Sequence, residues 1–173
     1  TTVGASSLSI AYGSSKTVAV TPATGYYLSS GSCTNGYTIS NMTTGVGKTA
    51  AQTVTIKNNS KATNSTCTFT SSNSYTVAMS GRNVTFGATS LAVAYGGSKT
   101  VTLTPSAGYY LNGITCTNGY TVTATTGTSA TGAQTITIKN NSKVANSTCT
   151  ASMGTTYTEN TTWEFNYNGG IQT

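Results

Sequence analysis

The chain carries an internal duplication that spans most of its 173 residues. Tyr12 and Cys33 correspond to Tyr95 and Cys116 at an offset of 83 residues, and the offset falls to 82 at the second cysteine of each copy. A period of this length is domain-sized, well above the roughly 20–50 residues of solenoid repeats. We therefore expect two tandem modules, copy 1 over residues 1–80 and copy 2 over 81–153, followed by a tail over 154–173.

Short runs of alternating apolar and polar residues predict that each copy is built from strands. Residues 8–12 alternate, a Gly-Ser turn follows, and 18–20 alternate again, which predicts a hairpin. Asn35-Gly36 predicts a type I′ turn, and the alternating residues 75–79 predict a seventh strand that closes copy 1. Seven short strands in about eighty residues, without helical periodicity, favour an all-β fold of two immunoglobulin-like β-sandwiches.

The four cysteines predict one disulfide in each copy. Four cysteines allow three pairings, and because both copies carry the same two positions, the simplest is Cys33–Cys67 with Cys116–Cys149. A bridge that closes a loop of about 34 residues contributes roughly 3–4 kcal/mol. Disulfides persist in oxidising compartments, so we expect an extracellular protein that is secreted or held at a cell surface.

Charged residues make up 6% of the chain, and its net charge is +6. The eight cations are spread along the sequence without a basic run, and arginine occurs once, so the pattern indicates solubility rather than a nucleic-acid partner. No stretch approaches the ~20 apolar residues that span a bilayer, and we expect no membrane insertion.

The residue inventory also disfavours catalysis. The chain has no histidine, which removes the usual base of nucleophilic triads. Its only two acids, Glu159 and Glu164, both lie in the tail, so neither copy holds the paired carboxylates of acid–base catalysis or of a calcium site. The sequence therefore predicts a protein that is not an enzyme and that uses no cofactor and no metal.

Surface tyrosines are the candidate ligand-binding residues. Tyr26 and Tyr27, with their equivalents Tyr109 and Tyr110, are amphipathic rings of the kind that stack on sugars. The same rings are equally suited to fill a core or to cover strand ends. Both interpretations remain open at the level of sequence.

The tail carries an aromatic alternation that matches nothing after copy 1. Trp163, Phe165 and Tyr167 alternate with polar residues and are followed by Gly169-Gly170. This segment is either the first strand of a further domain or an assembly strand donated to a neighbouring subunit, which would build a filament by edge pairing.

Several runs of strand and turn residues resemble those of a known family. Residues 97–111 read Gly-Ser-Lys-Thr-Val-x-Leu-Thr-Pro-x-x-Gly-Tyr-Tyr-Leu, followed by Gln-Thr-Ile-Thr-Ile and a closing Ser-Thr-Cys-Thr. This pattern resembles the divergent internalin-type B-repeats, which occur in tandem in bacterial surface and secreted proteins. The resemblance leaves a β-grasp-like module as an alternative to the sandwich. It departs from the family at Cys33 and Cys116, where many such repeats carry tryptophan.

Together these features predict a non-enzymatic structural module: a stalk or spacer of a bacterial surface adhesin or fibre. Its partners would be host-surface glycans or proteins contacted by neighbouring domains, or further copies of the chain in a fibre. Two alternatives are a glycan-binding module that uses its tyrosines, and a phage or virion fibre subunit joined by strand donation.

Overall fold

The computed structural model describes residues 1–156, which form β-strands joined by turns, with no helix among them. The strands of this part are β1 (Thr2–Val3), β2 (Ser15–Thr21), β3 (Tyr27–Cys33), β4 (Thr38–Ser40), β5 (Gln52–Lys57), β6 (Cys67–Ser72), β7 (Ser74–Gly81), β8 (Val84–Phe86), β9 (Ser90–Ala94), β10 (Ser98–Pro105), β11 (Tyr109–Cys116), β12 (Thr121–Thr123), β13 (Gln134–Lys139) and β14 (Ser147–Thr155). The prediction of an all-β fold is confirmed for these residues. By sheet membership, we assign β1–β6 to copy 1 and β7–β14 to copy 2.

One four-stranded antiparallel sheet is common to the two copies. Its order is β1-β2-β5-β4 in copy 1 and β8-β10-β13-β12 in copy 2. The registers are equivalent, since Val18 pairs with Val54 and Val101 pairs with Ile136. Side chains alternate between the faces of a strand, so these apolar residues share the buried face, while Ala19 and Thr102, which follow Val18 and Val101, are exposed.

The second sheet differs between the copies. It has the order β11-β14-β7-β9 in copy 2 but contains only β3 and β6 in copy 1. Val77 of β7 pairs with Ser147 of β14 in parallel and with Leu91 of β9 in antiparallel fashion. The strand that we expected to close copy 1 is therefore bonded into copy 2, because β14 and β9 provide partners on both of its edges. It crosses the boundary that we predicted at residue 80.

The core of copy 2 lies between its two sheets, which is consistent with a β-sandwich. One buried cluster combines side chains from both sheets: Val77, Met79, Val93, Leu111, Cys149 and Ala151 from one, and Val101, Leu103, Ile136 and Ile138 from the other. Copy 1 has a smaller buried cluster, formed by Val18, Val20, Leu28, Val54 and Ile56. The immunoglobulin-like topology of the modules stays a prediction, as does the β-grasp alternative.

The predicted hairpin over residues 8–20 is wrong. In copy 2 the equivalent strands β9 and β10 lie in different sheets, so the turn between them carries the chain from one layer to the other. In copy 1 residues 7–11 form no strand at all. The predicted turn at Asn35-Gly36 is present, with φ values of 55° and 76°, as a type I′ turn requires.

Candidate functional site at the junction of the two copies

A single residue, Asn73, separates β6 at the end of copy 1 from β7 at the start of copy 2. The backbone carbonyl of Asn73 accepts a hydrogen bond of 2.9 Å from the amide of Tyr95, the residue that follows β9. The link between the copies is therefore short and bonded to copy 2, unlike the long polar segments that let domains move independently.

Tyr75 of β7 fills the contact between the copies. It is 1% exposed, and among residues 1–156 it is the largest of the fully buried side chains. Its ring packs edge-on against Tyr27 of copy 1, with the centroids 5.5 Å apart and the planes at 64°. Its hydroxyl donates a hydrogen bond of 2.9 Å to the carbonyl of Gly25, and the hydroxyl of Tyr27 donates one of 2.9 Å to the carbonyl of Ser74. Each copy thus donates to the backbone of the other.

Tyr95 forms the second aromatic wall of this contact. A Cβ atom added to Gly25 would lie 2.5 Å from the Cδ1 atom of the Tyr95 ring. Gly25 is buried, whereas its equivalent Gly108 is exposed and has no described atom within 4 Å of such a Cβ position. Tyr12, the copy 1 equivalent of Tyr95, is 69% exposed. Contact between the copies accounts for these differences, and we call Gly25, Tyr27, Tyr75 and Tyr95 the junction.

The environment of the junction also changes the acidity of its central phenol. Burial raises the pKa of Tyr75 above its ordinary value of 10.0, and the neighbouring phenols Tyr27, Tyr120 and Tyr95 raise it further. The hydroxyl therefore keeps its proton at neutral pH and serves as the donor to Gly25.

The strand order places the two ends of copy 2 at opposite poles. Its first strand, β7, and its last, β14, are parallel neighbours, so the chain enters at one end and leaves at the other. Val77 and Ser147 lie side by side. Val77 is three positions after Ser74, and Thr156, the equivalent of Ser74, is nine positions after Ser147. Successive junctions would therefore lie twelve strand residues apart, or roughly 40 Å at ~3.3 Å per residue.

The predicted disulfides are both present. Cys33–Cys67, the copy 1 disulfide, joins β3 to β6, and Cys116–Cys149, the copy 2 disulfide, joins β11 to β14. In each case the two cysteines are directly opposite in the strand register, so the bridge lies within one sheet. The disulfide of antibody domains instead joins the two sheets of the sandwich.

The four candidate ligand-binding tyrosines are half-buried. Tyr27 is used in the junction, and Tyr110 lies across Gly154 of the neighbouring strand β14. Tyr109 and Tyr110 are consecutive in β11, so their side chains leave opposite faces of the sheet and form no single stacking platform. Ligand binding by any of these four tyrosines stays a prediction.

A buried asparagine stabilises the same turn in each copy. Asn140 donates to the hydroxyl of Tyr120 at 2.8 Å and to the carbonyl of Lys143 at 3.0 Å, and its Oδ1 accepts from the amide of Lys143 at 2.7 Å. Asn58 makes the equivalent bonds in copy 1. No buried side-chain polar atom of residues 1–156 lacks a hydrogen-bond partner, so both amides serve the fold and are not free to bind a ligand.

Sequence reasoning missed the junction as a site. Its signal was present, because Tyr75 recurs as Tyr157 at the offset of 82, after the last strand of copy 2. The predicted assembly strand at Trp163, Phe165 and Tyr167 lies outside the described residues.

Within residues 1–156, no group of three or more histidine, cysteine, aspartate or glutamate side chains is placed to hold a metal ion. The same part of the chain has no helix long and apolar enough to cross a membrane. Comparisons with protein-family models, with curated proteins and with solved structures found no match. The resemblance to internalin-type B-repeats therefore rests on the sequence pattern alone.

Proposed function

We propose that this chain is a non-enzymatic extracellular spacer, a stiff segment of a bacterial surface adhesin or fibre that holds another domain away from its anchor. The observation that carries the proposal is the junction, in which Tyr75 of copy 2 is buried against Gly25 and Tyr27 of copy 1. A buried aromatic contact with reciprocal hydrogen bonds opposes bending between the copies, since bending would expose the ring and break both bonds.

The strand order supports the same role. A spacer gains length only if each module receives the chain at one pole and releases it at the other, and the parallel pairing of β7 with β14 has this consequence. At roughly 40 Å for each module, a few copies would span a substantial distance with few residues.

The chemistry of the chain supports an extracellular, non-catalytic role. Two disulfides are compatible with secretion or exposure at a cell surface. The absence of histidine and aspartate from the whole sequence, and the position of both glutamates beyond residue 156, leave both copies without the groups that general acid–base catalysis uses most often.

Small-angle X-ray scattering on the full chain tests the proposal. A single compact domain of 173 residues has a radius of gyration of roughly 16 Å; two copies arranged end to end should give a clearly larger value and an elongated distance distribution. Tyr75→Ala should broaden that distribution, while Tyr12→Ala, at an exposed position, should leave it unchanged. A compact particle, or identical curves for all three proteins, would contradict the spacer role.

A glycan array tests the competing function. We expect no saturable binding by the wild-type chain. Binding that disappears in the Tyr26→Ala/Tyr109→Ala variant, while its circular dichroism spectrum is retained, would establish a glycan-binding module instead.

A further inference from the structure

The copies differ in one strand, and that difference leaves an open groove in copy 1. In copy 2, β7 lies between β14 and β9 and is hydrogen-bonded to both. Their equivalents in copy 1 are Ser65–Phe69 and Ser7–Ala11. A groove of about 1210 Å³ lies between these two segments, in the place that β7 occupies in copy 2. We call it the acceptor groove.

The two segments that line the acceptor groove resemble in sequence the strands on either side of β7, but no strand lies between them. Residues 7–11 read Ser-Leu-Ser-Ile-Ala and match Ser-Leu-Ala-Val-Ala of β9, yet they form no strand. In copy 2, β9 is hydrogen-bonded only to β7 within its sheet. Residues 7–11 of copy 1 have no equivalent of β7 beside them, and so they lack the partner that would hold them as a strand. Opposite, β6 is paired only with β3, so the edge that would face the missing strand is open for backbone hydrogen bonds.

The exposure of equivalent side chains in the two copies also indicates that a strand is missing beside copy 1. Val93, Tyr120 and Cys149 are buried in copy 2, whereas their equivalents Ile10, Tyr37 and Cys67 are only half-buried and line the acceptor groove. All three belong to the hydrophobic cluster of copy 1 or pack against it. Copy 1 thus exposes apolar side chains that copy 2 covers with one strand.

We infer that the acceptor groove binds a β-strand of the Ser74–Gly81 type, donated by another module of the same repeat. Such a strand would run parallel to β6 and antiparallel to residues 7–11, as β7 does in copy 2. It would present apolar side chains at alternate positions, as Val77 and Met79 do. This inference deepens the proposed spacer role, because it makes copy 1 the receiving end of a longer array.

The sequence of β7 shows what the donor must provide. Val77 and Met79 are buried in the sheet, so their positions require aliphatic side chains of moderate size. At Gly81 an added Cβ would lie 2.8 Å from Val84 and 3.1 Å from the carbonyl oxygen of Ala151, so the eighth and last position of the strand requires glycine.

The tail fits less well as a donor. Its residues 163–169 have apolar side chains and glycine at the same spacing, but Phe165 and Tyr167 would stand where Val77 and Met79 stand in copy 2. Larger side chains in a site shaped for smaller ones force it apart. We therefore assign the groove to a strand of the β7 type rather than to the tail of a second copy.

The test uses the full chain and three synthetic peptides: residues 73–82, residues 161–170, and a scrambled version of 73–82. Binding is measured by calorimetry, and amide hydrogen exchange reports where each peptide binds. At a peptide concentration 100 times its Kd, the 73–82 peptide should slow amide exchange in residues 7–11 by about 100-fold, and it should slow reduction of the copy 1 disulfide.

Matched variants locate the binding. Ile10→Lys, in the wall of the groove, should weaken binding of the 73–82 peptide at least tenfold, while Val46→Lys, on an exposed loop, should not change it. A 73–82 peptide that carries Val77→Asp should not bind.

Failure of the 73–82 peptide to protect residues 7–11, or equal protection by the scrambled peptide, would overturn the inference. Stronger protection by the 161–170 peptide would also overturn it, since the donor would then be the tail of a second copy. None of these outcomes alters the scattering curve of the unmixed chain, so the spacer proposal is judged separately.

Discussion

A pair of glycine substitutions isolates the energy of the junction. Gly25 and Gly108 occupy the same turn in the two copies and have φ values of +83° and +84°. Alanine at either position bears the same left-handed backbone cost of about 1–2 kcal/mol. Only at Gly25 would the new methyl group also collide with Tyr95, whose ring atoms lie 2.5–2.9 Å from the Cβ position.

The steric difference sets the expected magnitudes. Displacing the Tyr95 ring from a packed site costs about 1–3 kcal/mol, in addition to the backbone cost. We therefore expect Gly108→Ala to lower the free energy of unfolding by about 1–2 kcal/mol and Gly25→Ala to lower it by about 2–5 kcal/mol. Urea denaturation, followed by NMR signals assigned to each copy, measures both values.

A double-mutant cycle checks the cause. In a Tyr95→Ala background the collision is absent, so Gly25→Ala should cost no more than Gly108→Ala. Equal costs for the two glycine substitutions in the wild-type background would refute the packing argument. An excess cost at Gly25 that persists without the Tyr95 ring would refute it as well.

Three further outcomes follow from the described contacts. Asn140→Ala should destabilise the chain by about 1–3 kcal/mol in urea denaturation, because it removes the bonds to Tyr120 and Lys143 and leaves buried groups unpaired; Asn141→Ala, at a half-buried position, should cost less than half as much, and equal costs would contradict the role of the buried amide. Because the pKa of Tyr75 is raised in the folded state, the unfolded chain loses that proton first as pH rises through about 10, so the stability of the fold should fall with rising pH there. Tyr75→Phe should flatten this fall in thermal melts between pH 9 and 11 (roughly the range in which phenols titrate). An unchanged slope of melting temperature against pH would contradict the assignment of this fall to Tyr75. The copy 1 disulfide, whose Cys67 is half-buried, should be reduced by dithiothreitol before the copy 2 disulfide, whose Cys149 is buried; mass spectrometry after alkylation identifies the order, and the reverse order would contradict it.

Local features of the fold could be predicted from the sequence. Strand β5, Gln52–Lys57, can be recognised from the sequence, because alternation and flanking turn residues define it without reference to the rest of the chain. The disulfide pairing followed from the duplication, since two equivalent cysteines in each copy leave one simple arrangement.

The assignment of strands to sheets could not be predicted in this way. The alternating residues 75–79 indicate a strand, but nothing in their pattern shows whether it pairs with copy 1 or copy 2; that choice depends on free edges supplied by β14 and β9. The same limit applies to residues 8–12, whose alternation predicts a strand. They form none, whereas the equivalent residues of copy 2 form β9, which has β7 as its partner. Pairing across about seventy residues is a tertiary property.

The candidate site was missed for a related reason. The alternating pattern predicts that Tyr75 lies in a strand, as it does, and Gly25 has the positive φ that is typical of a turn glycine. Their functional meaning comes from contact between two copies, which involves Tyr27 and Tyr95 from separate parts of the sequence.

Stiffness at the junction is the central claim, and residual dipolar couplings of the full chain in a dilute aligning medium test it most directly. Amide couplings from copy 1 and copy 2 are fitted separately to alignment tensors. A stiff junction predicts that the two tensors share one magnitude and one set of axes in the wild-type chain and diverge in Tyr75→Ala. Tensors that already differ in the wild-type chain would show that the copies move independently, and the account of this protein as a rigid spacer would be wrong.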